Sequence, residues 1–150
     1  MKKLIVILSL LFIGRLLLPG QTTDPLVTKC AMNSGSNTAY LKDFRIQLGK
    51  GSAQNELRQK EVFPLSKNMR YRFTLCNADN SLGQLIMKIK DSDGRVQLST
   101  FDLKSGKLNP NPNPYIDFEC QKTGPYTLYF DFKDFQQGIG YGIVSLVKSK

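Results

Sequence analysis

Most of the chain consists of short segments in which apolar and polar residues alternate. Residues 69–76 (MRYRFTLC) and 85–90 (LIMKIK) carry apolar side chains at every second position. Because successive side chains of a strand point to opposite faces of a sheet, this period of two predicts β-strands. The same alternation occurs in residues 44–48, 116–119 and 126–132.

Other segments indicate where their strands lie. Residues 141–147 are apolar on both faces, which predicts a central strand or one covered on both sides. Pro64 lies in the segment 61–65, and because proline lacks a backbone donor it predicts an edge strand or a strand end. Residues 91–94 (DSDG) could offer oxygen ligands to Ca²⁺, but we interpret them as a hairpin turn that leads into a strand at 96–103.

Turn residues separate the predicted strands. Residues 109–114 (NPNPNP) form an extended loop, since three prolines fix the backbone and lack donors. Residues 77–83 are expected to join strands 69–76 and 84–90 in a hairpin. No convincing helix is expected after Gln21.

The number and spacing of these strands predict the fold class. About eight strands at intervals near ten residues are typical of an all-β, two-layer antiparallel β-sandwich of jelly-roll type. We assign it to residues 39–150, after a polar N-terminal segment, 21–38. Its core is predicted from the apolar positions of the strands: Tyr71, Phe73, Leu85, Met87, Ile89, Phe118, Tyr126, Leu128 and Phe130.

The first twenty residues have the pattern of a secretory signal peptide. Lys2 and Lys3 precede an apolar run at 4–14 (LIVILSLLFIG), which is too short to span a membrane. Residues 19–20 (PG) then favour cleavage before Gln21. We therefore expect a secreted or periplasmic protein with no stable membrane span after processing.

Composition excludes several classes of enzyme. The chain has 150 residues, 41% hydrophobic and 22% charged, which is typical of one globular domain, and it contains no His. Without imidazole there is no Ser-His-Asp or Cys-His catalysis. Asp131 and Asp134 are the best pair of carboxylates for glycoside hydrolysis, but we interpret them as a solvated face. We expect no catalytic residues, no cofactor and no metal site.

Three cysteines leave several disulfide arrangements open. After export, a Cys76–Cys120 bridge is possible, as is a bridge that uses Cys30, or no bridge at all. The alternation places Cys76 on the outward parity of its strand and Cys120 on the inward parity, which argues against pairing them. Cys76 and Cys120 remain the candidate pair, since a bulge could reverse either side chain.

Two kinds of binding surface are suggested by the outward positions. If 70–76 and 84–90 form a hairpin, then a basic face results, consisting of Arg70, Arg72, Lys88 and Lys90. The chain carries 21 Lys and Arg against 12 Asp and Glu, and such a face could be solvated or could bind anionic glycans or lipid headgroups. Tyr115 and Tyr129 are predicted to face outward, where aromatic rings could bind carbohydrate or could simply pack.

Three segments resemble a known family: 71–75 (YRFTL), 85–94 (LIMKIKDSDG) and 116–130 (IDFECQKTGPYTLYF). They are similar to the jelly-roll accessory domains of secreted bacterial proteins, the bacterial pre-peptidase C-terminal type, over roughly residues 60–148. The resemblance implies a non-catalytic module that assists folding, secretion or substrate contact.

The sequence therefore predicts an exported, monomeric, non-enzymatic β-sandwich that acts as a binding or accessory module of the bacterial cell envelope. A carbohydrate-binding module of jelly-roll type is the alternative. The expected partner is a glycan or another envelope protein. Specific nucleic-acid binding is not expected, since no motif for it is present and the chain is expected to be exported.

Overall fold

The computed structural model describes residues 24–53, 56–111 and 113–149. The predicted signal peptide, 1–20, lies outside the described residues. One α-helix, eight strands and one turn of 3₁₀-helix at Lys133–Phe135 are present in the described part of the chain. In chain order they are α1 (Pro25–Met32), β1 (Thr38–Leu48), β2 (Gln59–Leu65), β3 (Arg70–Asn77), β4 (Leu85–Lys90), β5 (Val96–Ser99), β6 (Tyr115–Glu119), β7 (Gly124–Phe132) and β8 (Gly138–Val147).

The strands form two antiparallel sheets of four. Sheet I has the order β1-β8-β3-β6, and sheet II has the order β2-β7-β4-β5. The first strand therefore pairs with the eighth, the second with the seventh, the third with the sixth and the fourth with the fifth. This nested pairing is the jelly-roll arrangement, so the predicted fold class is confirmed. The predictions of β2 as an edge strand and β8 as an interior strand are confirmed too.

The core lies between the two sheets and is built from the inward parity of each strand. All nine predicted core residues belong to it or pack against it, with Phe118 half-buried and the others buried. The rest of the buried cluster consists of Phe44, Ile46, Leu65, Cys120, Phe132 and Val144. The period of two was therefore sufficient to assign the inward face of the strands.

Glycines on β8 make room for aromatic rings of β7. A Cβ added at Gly142 would lie 2.7 Å from Phe130, and one at Gly138 would lie 2.5 Å from Phe132. Both distances are well below van der Waals contact, so these rings occupy the space that side chains on β8 would need. The two sheets approach closely here because β8 has no side chain at these two positions.

The predicted hairpin between 70–76 and 84–90 is wrong. These segments are β3 and β4, which lie in different sheets, and residues 77–83 cross from one sheet to the other. Asn77 fixes the crossing, because its side chain donates to the carbonyl of Gly83 (2.6 Å) and accepts from the amide of Leu85 (3.0 Å). The tight hairpin of sheet II is instead β4–β5, where Gly94 takes a φ of 77°.

The expectation of no helix after Gln21 is also wrong. Asp24 caps α1 by accepting from the amide of Leu26 (2.9 Å), and Pro25 occupies the first turn. The apolar face of α1 packs on the outer side of sheet I, where Cys30 is buried with Tyr141 and Ile143 of β8. The helix has only eight residues, so it is too short for a repeat of apolar positions every three to four residues to be recognised in the sequence.

The disulfide joins Cys30 to Cys76, which are 46 positions apart in sequence, and Cys120 is a buried free thiol. Cys76 faces outward from β3, where α1 lies, whereas Cys120 belongs to the core and contacts the hydroxyl of Tyr126 (3.5 Å). The candidate Cys76–Cys120 disulfide is therefore wrong, because the two side chains lie on opposite faces of sheet I. The parity argument against that pair was right.

Candidate functional site

The predicted basic face does not exist as one surface. Arg70 and Arg72 belong to β3 in sheet I, and Lys88 and Lys90 belong to β4 in sheet II. Because each pair points away from the core on its own sheet, the two pairs lie on opposite sides of the sandwich. The four charges therefore cannot bind one anion.

Both arginines of the pair form ion pairs with one acid on the neighbouring strand. Arg72 donates to both carboxylate oxygens of Asp117 (2.6 and 2.9 Å), and Arg70 donates to one of them (2.8 Å). These ion pairs hold the pKa of Asp117 below its usual value of 3.8. Arg72 is also buried under the segment after α1, where it donates to the carbonyl of Ser34 (2.8 Å). This pair thus connects three segments of the fold.

Both lysines of the pair form ion pairs with Glu56, which precedes β2. One carboxylate oxygen of Glu56 lies 2.5 Å from Nζ of Lys88, and the other lies 2.6 Å from Nζ of Lys90. The hydrogen bonds to both lysines lower the pKa of Glu56 and raise that of Lys90. The ring of Tyr129 lies beside these ammonium groups.

The two predicted tyrosine platforms lie in different sheets. Tyr115 begins β6 in sheet I, and the guanidinium carbon of Arg72 lies 3.6 Å from its ring centre. Tyr129 lies on β7 in sheet II. Both rings are half-buried, and they cannot stack on one ligand as a single flat surface.

The acidic candidates are used in local structure. Asp91 accepts from the amides of Asp93 and Arg95 (both 2.9 Å), which closes the β4–β5 turn as predicted. Asp131 is buried and pairs with Arg58 (2.7 Å), whereas Asp134 is exposed and pairs with Lys133 (2.7 Å). The two carboxylates therefore do not converge on a cleft. Within residues 24–53, 56–111 and 113–149, no group of three or more His, Cys, Asp or Glu side chains is placed to hold a metal ion.

A cleft with a volume of about 140 Å³ lies between β3, β6 and the start of β4. Its base is apolar and includes the core residues Phe73 and Leu85. The connection between β5 and β6 forms one wall, which contains the predicted proline-rich loop. The full lining is Phe73, Leu75, Asn77, Gln84, Leu85, Thr100, Leu108, Asn109, Asn111, Asn113, Pro114, Tyr115 and Ile116.

The lining of this cleft differs from the rest of the protein surface in charge. None of its residues is Asp, Glu, Lys or Arg, although 22% of the chain is charged. Five of the thirteen residues are Asn or Gln, whose side chains can both donate and accept hydrogen bonds. Such a lining suits a neutral ligand with hydrogen-bonding groups around an apolar part.

Three of the amides hold the cleft in shape. Asn77 fixes the crossing between the sheets, as described above. Asn109 donates to the carbonyl of Ser99 (3.0 Å), and Asn111 donates to the carbonyl of Tyr115 (2.8 Å). Because these contacts tie both ends of the β5–β6 connection to strands, the wall is formed before a ligand binds.

Two amides remain for a ligand. In the part of the chain that the structure describes, the side chains of Gln84 and Asn113 make no hydrogen bond, and both residues are exposed. They lie on different walls, Gln84 before β4 and Asn113 before β6. Sequence reasoning missed this site, although the repeated Asn of residues 109–114 was a signal for it. The strand order was needed to bring that loop beside Gln84.

The residues that the structure describes contain no helix that is long and apolar enough to cross a membrane. The sequence matches no protein-family model and no curated protein. Among solved structures, the fold is similar to the serine protease of Aeromonas sobria, with a TM-score of 0.36 and 10% sequence identity. The similarity covers 81% of this chain and 29% of that chain. The chain thus spans less than a third of that protease's length.

Proposed function

We propose that the protein is an exported, non-enzymatic, monomeric β-sandwich of the bacterial cell envelope that binds carbohydrate in the cleft beside β4 and β6. The observation that carries this proposal is the uncharged, amide-rich lining of the cleft above an apolar base. Sugar rings have the matching chemistry, because hydroxyl groups surround a ring whose C–H bonds present an apolar face.

The size of the cleft limits how much of a glycan it holds. Pockets for drug-sized ligands measure roughly 300–1,000 Å³, whereas this cleft measures about 140 Å³. It would therefore hold a single terminal sugar, with the rest of the glycan in solvent. The side chains of Gln84 and Asn113 would hydrogen-bond its hydroxyl groups, and Leu85 and Ile116 would lie under its ring.

Export is supported by two independent features. Residues 1–20 have the charged start and apolar run of a signal peptide. The Cys30–Cys76 disulfide is typical of proteins in an oxidising compartment. An accessory role of the pre-peptidase C-terminal type is consistent with a jelly roll, and glycan binding would be the way in which such a module contacts its substrate.

A titration of the folded chain with neutral oligosaccharides tests the proposal. A glycan array first identifies ligands, and NMR titration then measures affinity while the amide side-chain signals are followed. The double variant Gln84→Ala with Asn113→Ala should lose binding by about tenfold or more, since two hydrogen bonds to the ligand are removed. Gln47→Ala is the matched control, because Gln47 is an exposed amide on β1, away from the cleft.

Two outcomes would reject the proposal. One is a glycan array without any saturable binding to neutral sugars. The other is binding that the double variant leaves unchanged while the variant remains folded.

A further inference from the structure

A second cluster of side chains lies on the outer face of sheet II, on the side of the sandwich away from α1. Its centre is the ring of Tyr129 on β7. The ammonium groups of Lys60, Lys88 and Lys90 lie 5.3, 5.3 and 5.2 Å from the centre of that ring. Each of these distances is within the range of a cation–π contact.

The strand register produces this cluster directly. Lys60 of β2 and Lys88 of β4 are both direct partners of Tyr129 on β7, so the three side chains form a row across the sheet. Lys90 lies two residues further along β4 and therefore on the same face. Neighbouring strands lie about 4.8 Å apart, so the backbones of Lys60 and Lys88 are about 10 Å apart on either side of β7, and their ammonium groups converge on the ring between them.

One carboxylate only partly balances these charges. Glu56 bridges Lys88 and Lys90, while Lys60 is exposed and makes no ion pair in the described part of the chain. Among these four residues, three positive charges face one negative charge. The carboxylate of Glu56 thus marks a position at which the sheet binds an anionic group.

We propose that this cluster is a binding site for the acidic groups of an anionic polysaccharide, and that Glu56 occupies it as an internal competitor. The ligand's carboxylate or sulfate would replace the Glu56 side chain on Lys88 and Lys90. A neighbouring acidic group would contact Lys60, on the other side of the Tyr129 ring. This site is separate from the neutral cleft, and it does not depend on the function proposed for that cleft.

One observation favours a polysaccharide over a membrane surface. Tyr129 lies on an interior strand, is half-buried and has three lysine ammonium groups over its ring, so it is not a side chain that inserts into lipid. Glu56 can leave its position without unfolding the strand that follows it. Leu57 is buried and Arg58 pairs with Asp131, so the backbone next to Glu56 stays anchored when the side chain moves.

The test compares variants of the folded chain for binding to polygalacturonate, with dextran as the neutral control polymer. Glu56→Gln should bind polygalacturonate about fivefold more tightly, because the carboxylate that competes for Lys88 and Lys90 is removed. Lys60→Gln should weaken binding, and because Lys60 is exposed this variant should remain folded. The double variant Lys88→Gln with Lys90→Gln should abolish binding.

Exposed lysines elsewhere provide the control. Lys104→Gln with Lys107→Gln removes the same charge from the β5–β6 connection, so it should leave binding unchanged if the cluster is the site. All measurements are made at physiological ionic strength, where the Debye length of about 8 Å screens general attraction between the basic chain and the polymer.

Three results would overturn the proposal. If the Glu56→Gln variant is less stable and does not bind polygalacturonate more tightly, Glu56 has only a structural role. Equal losses for the double variant Lys88→Gln with Lys90→Gln and for the control would show that only net charge matters. Binding to phosphatidylglycerol vesicles without binding to polygalacturonate would show that the site recognises a lipid surface.

Discussion

Arg72 lies directly opposite Asp117 in the register of β3 and β6, and its guanidinium binds both oxygens of that carboxylate. The same guanidinium stacks on Tyr115, which is two residues before Asp117. A single buried arginine therefore ties the edge strand β6 to β3 and also positions a ring in the wall of the cleft. Structural stability and the shape of the proposed binding site depend on the same contact.

Asp117→Asn should destabilise the protein by about 3 kcal/mol, because it leaves the buried Arg72 without its counter-charge. Denaturant titration at neutral pH measures the loss. Asp93→Asn is the matched control: its ion pair with Lys122 is 3.7 Å long and exposed, so the cost should stay below about 1 kcal/mol. Equal costs for the two variants would contradict the role of Arg72.

The same pair predicts the effect of acid. Since the pKa of Asp117 is lower in the folded protein than its usual value of 3.8, the folded state favours the ionised carboxylate. Its contribution to the free energy of unfolding is fully present above that usual value and is lost as pH falls through the lowered pKa. Asp117→Asn should therefore show a weaker acid dependence of stability below pH of about 4 than the unchanged chain.

Reduction of the disulfide should destabilise the fold by about 4 kcal/mol, given the sequence separation of 46 between Cys30 and Cys76. The physical reason is that the bridge limits the unfolded chain and holds α1 on sheet I. Urea titration with and without reductant measures the effect. A Cys120→Ala variant should respond to reductant in the same way, because Cys120 is not in the bridge. A reductant effect that disappears in that variant would refute the assignment.

The sequence was informative about each strand by itself and much less informative about how strands are paired. Alternation identified the inward side chains of β3, β4 and β7 because successive side chains point to opposite faces along any strand. It could not show that β3 and β4 lie in different sheets, because a hairpin and a crossing both begin with a short polar loop. The error about the basic face followed from this one error about pairing.

The candidate site depended even more on long-range pairing. Asn113 and Gln84 come together only because β6 lies beside β3, while β4 lies in the facing sheet. Glu56 likewise reaches Lys88 across 32 positions of sequence, and no local pattern links an acid in a loop to a lysine on a strand. The helix α1 was different, because Asp24 and Pro25 carried a local signal for its start.

Gly142→Ala should cost about 1–3 kcal/mol, because the added Cβ would lie 2.7 Å from the ring of Phe130. Phe130→Ala alone should cost about 3–5 kcal/mol, since the ring is buried in the core. In the double variant the clash is absent, so the two costs should not add. Full additivity in a denaturant titration would show that Gly142 does not make room for Phe130.

Arg58 should be as important for stability as a core residue, although it lies just before an edge strand. Its guanidinium binds the carboxylate of Asp131, of which 1% is exposed, and it also donates to the carbonyls of Gly49 (2.6 Å) and Gln136 (3.0 Å). Arg58→Ala should cost about 3–5 kcal/mol, because a buried carboxylate loses its partner. Arg58→Lys should recover only part of this, since an ammonium group cannot make the same set of planar contacts.

Arg95→Ala, which truncates an exposed arginine after the β4–β5 turn, is the control and should change stability by less than about 0.5 kcal/mol. Thermal or urea denaturation of the three variants measures the order, and a lysine variant as stable as the unchanged chain would show that charge alone is what Asp131 requires.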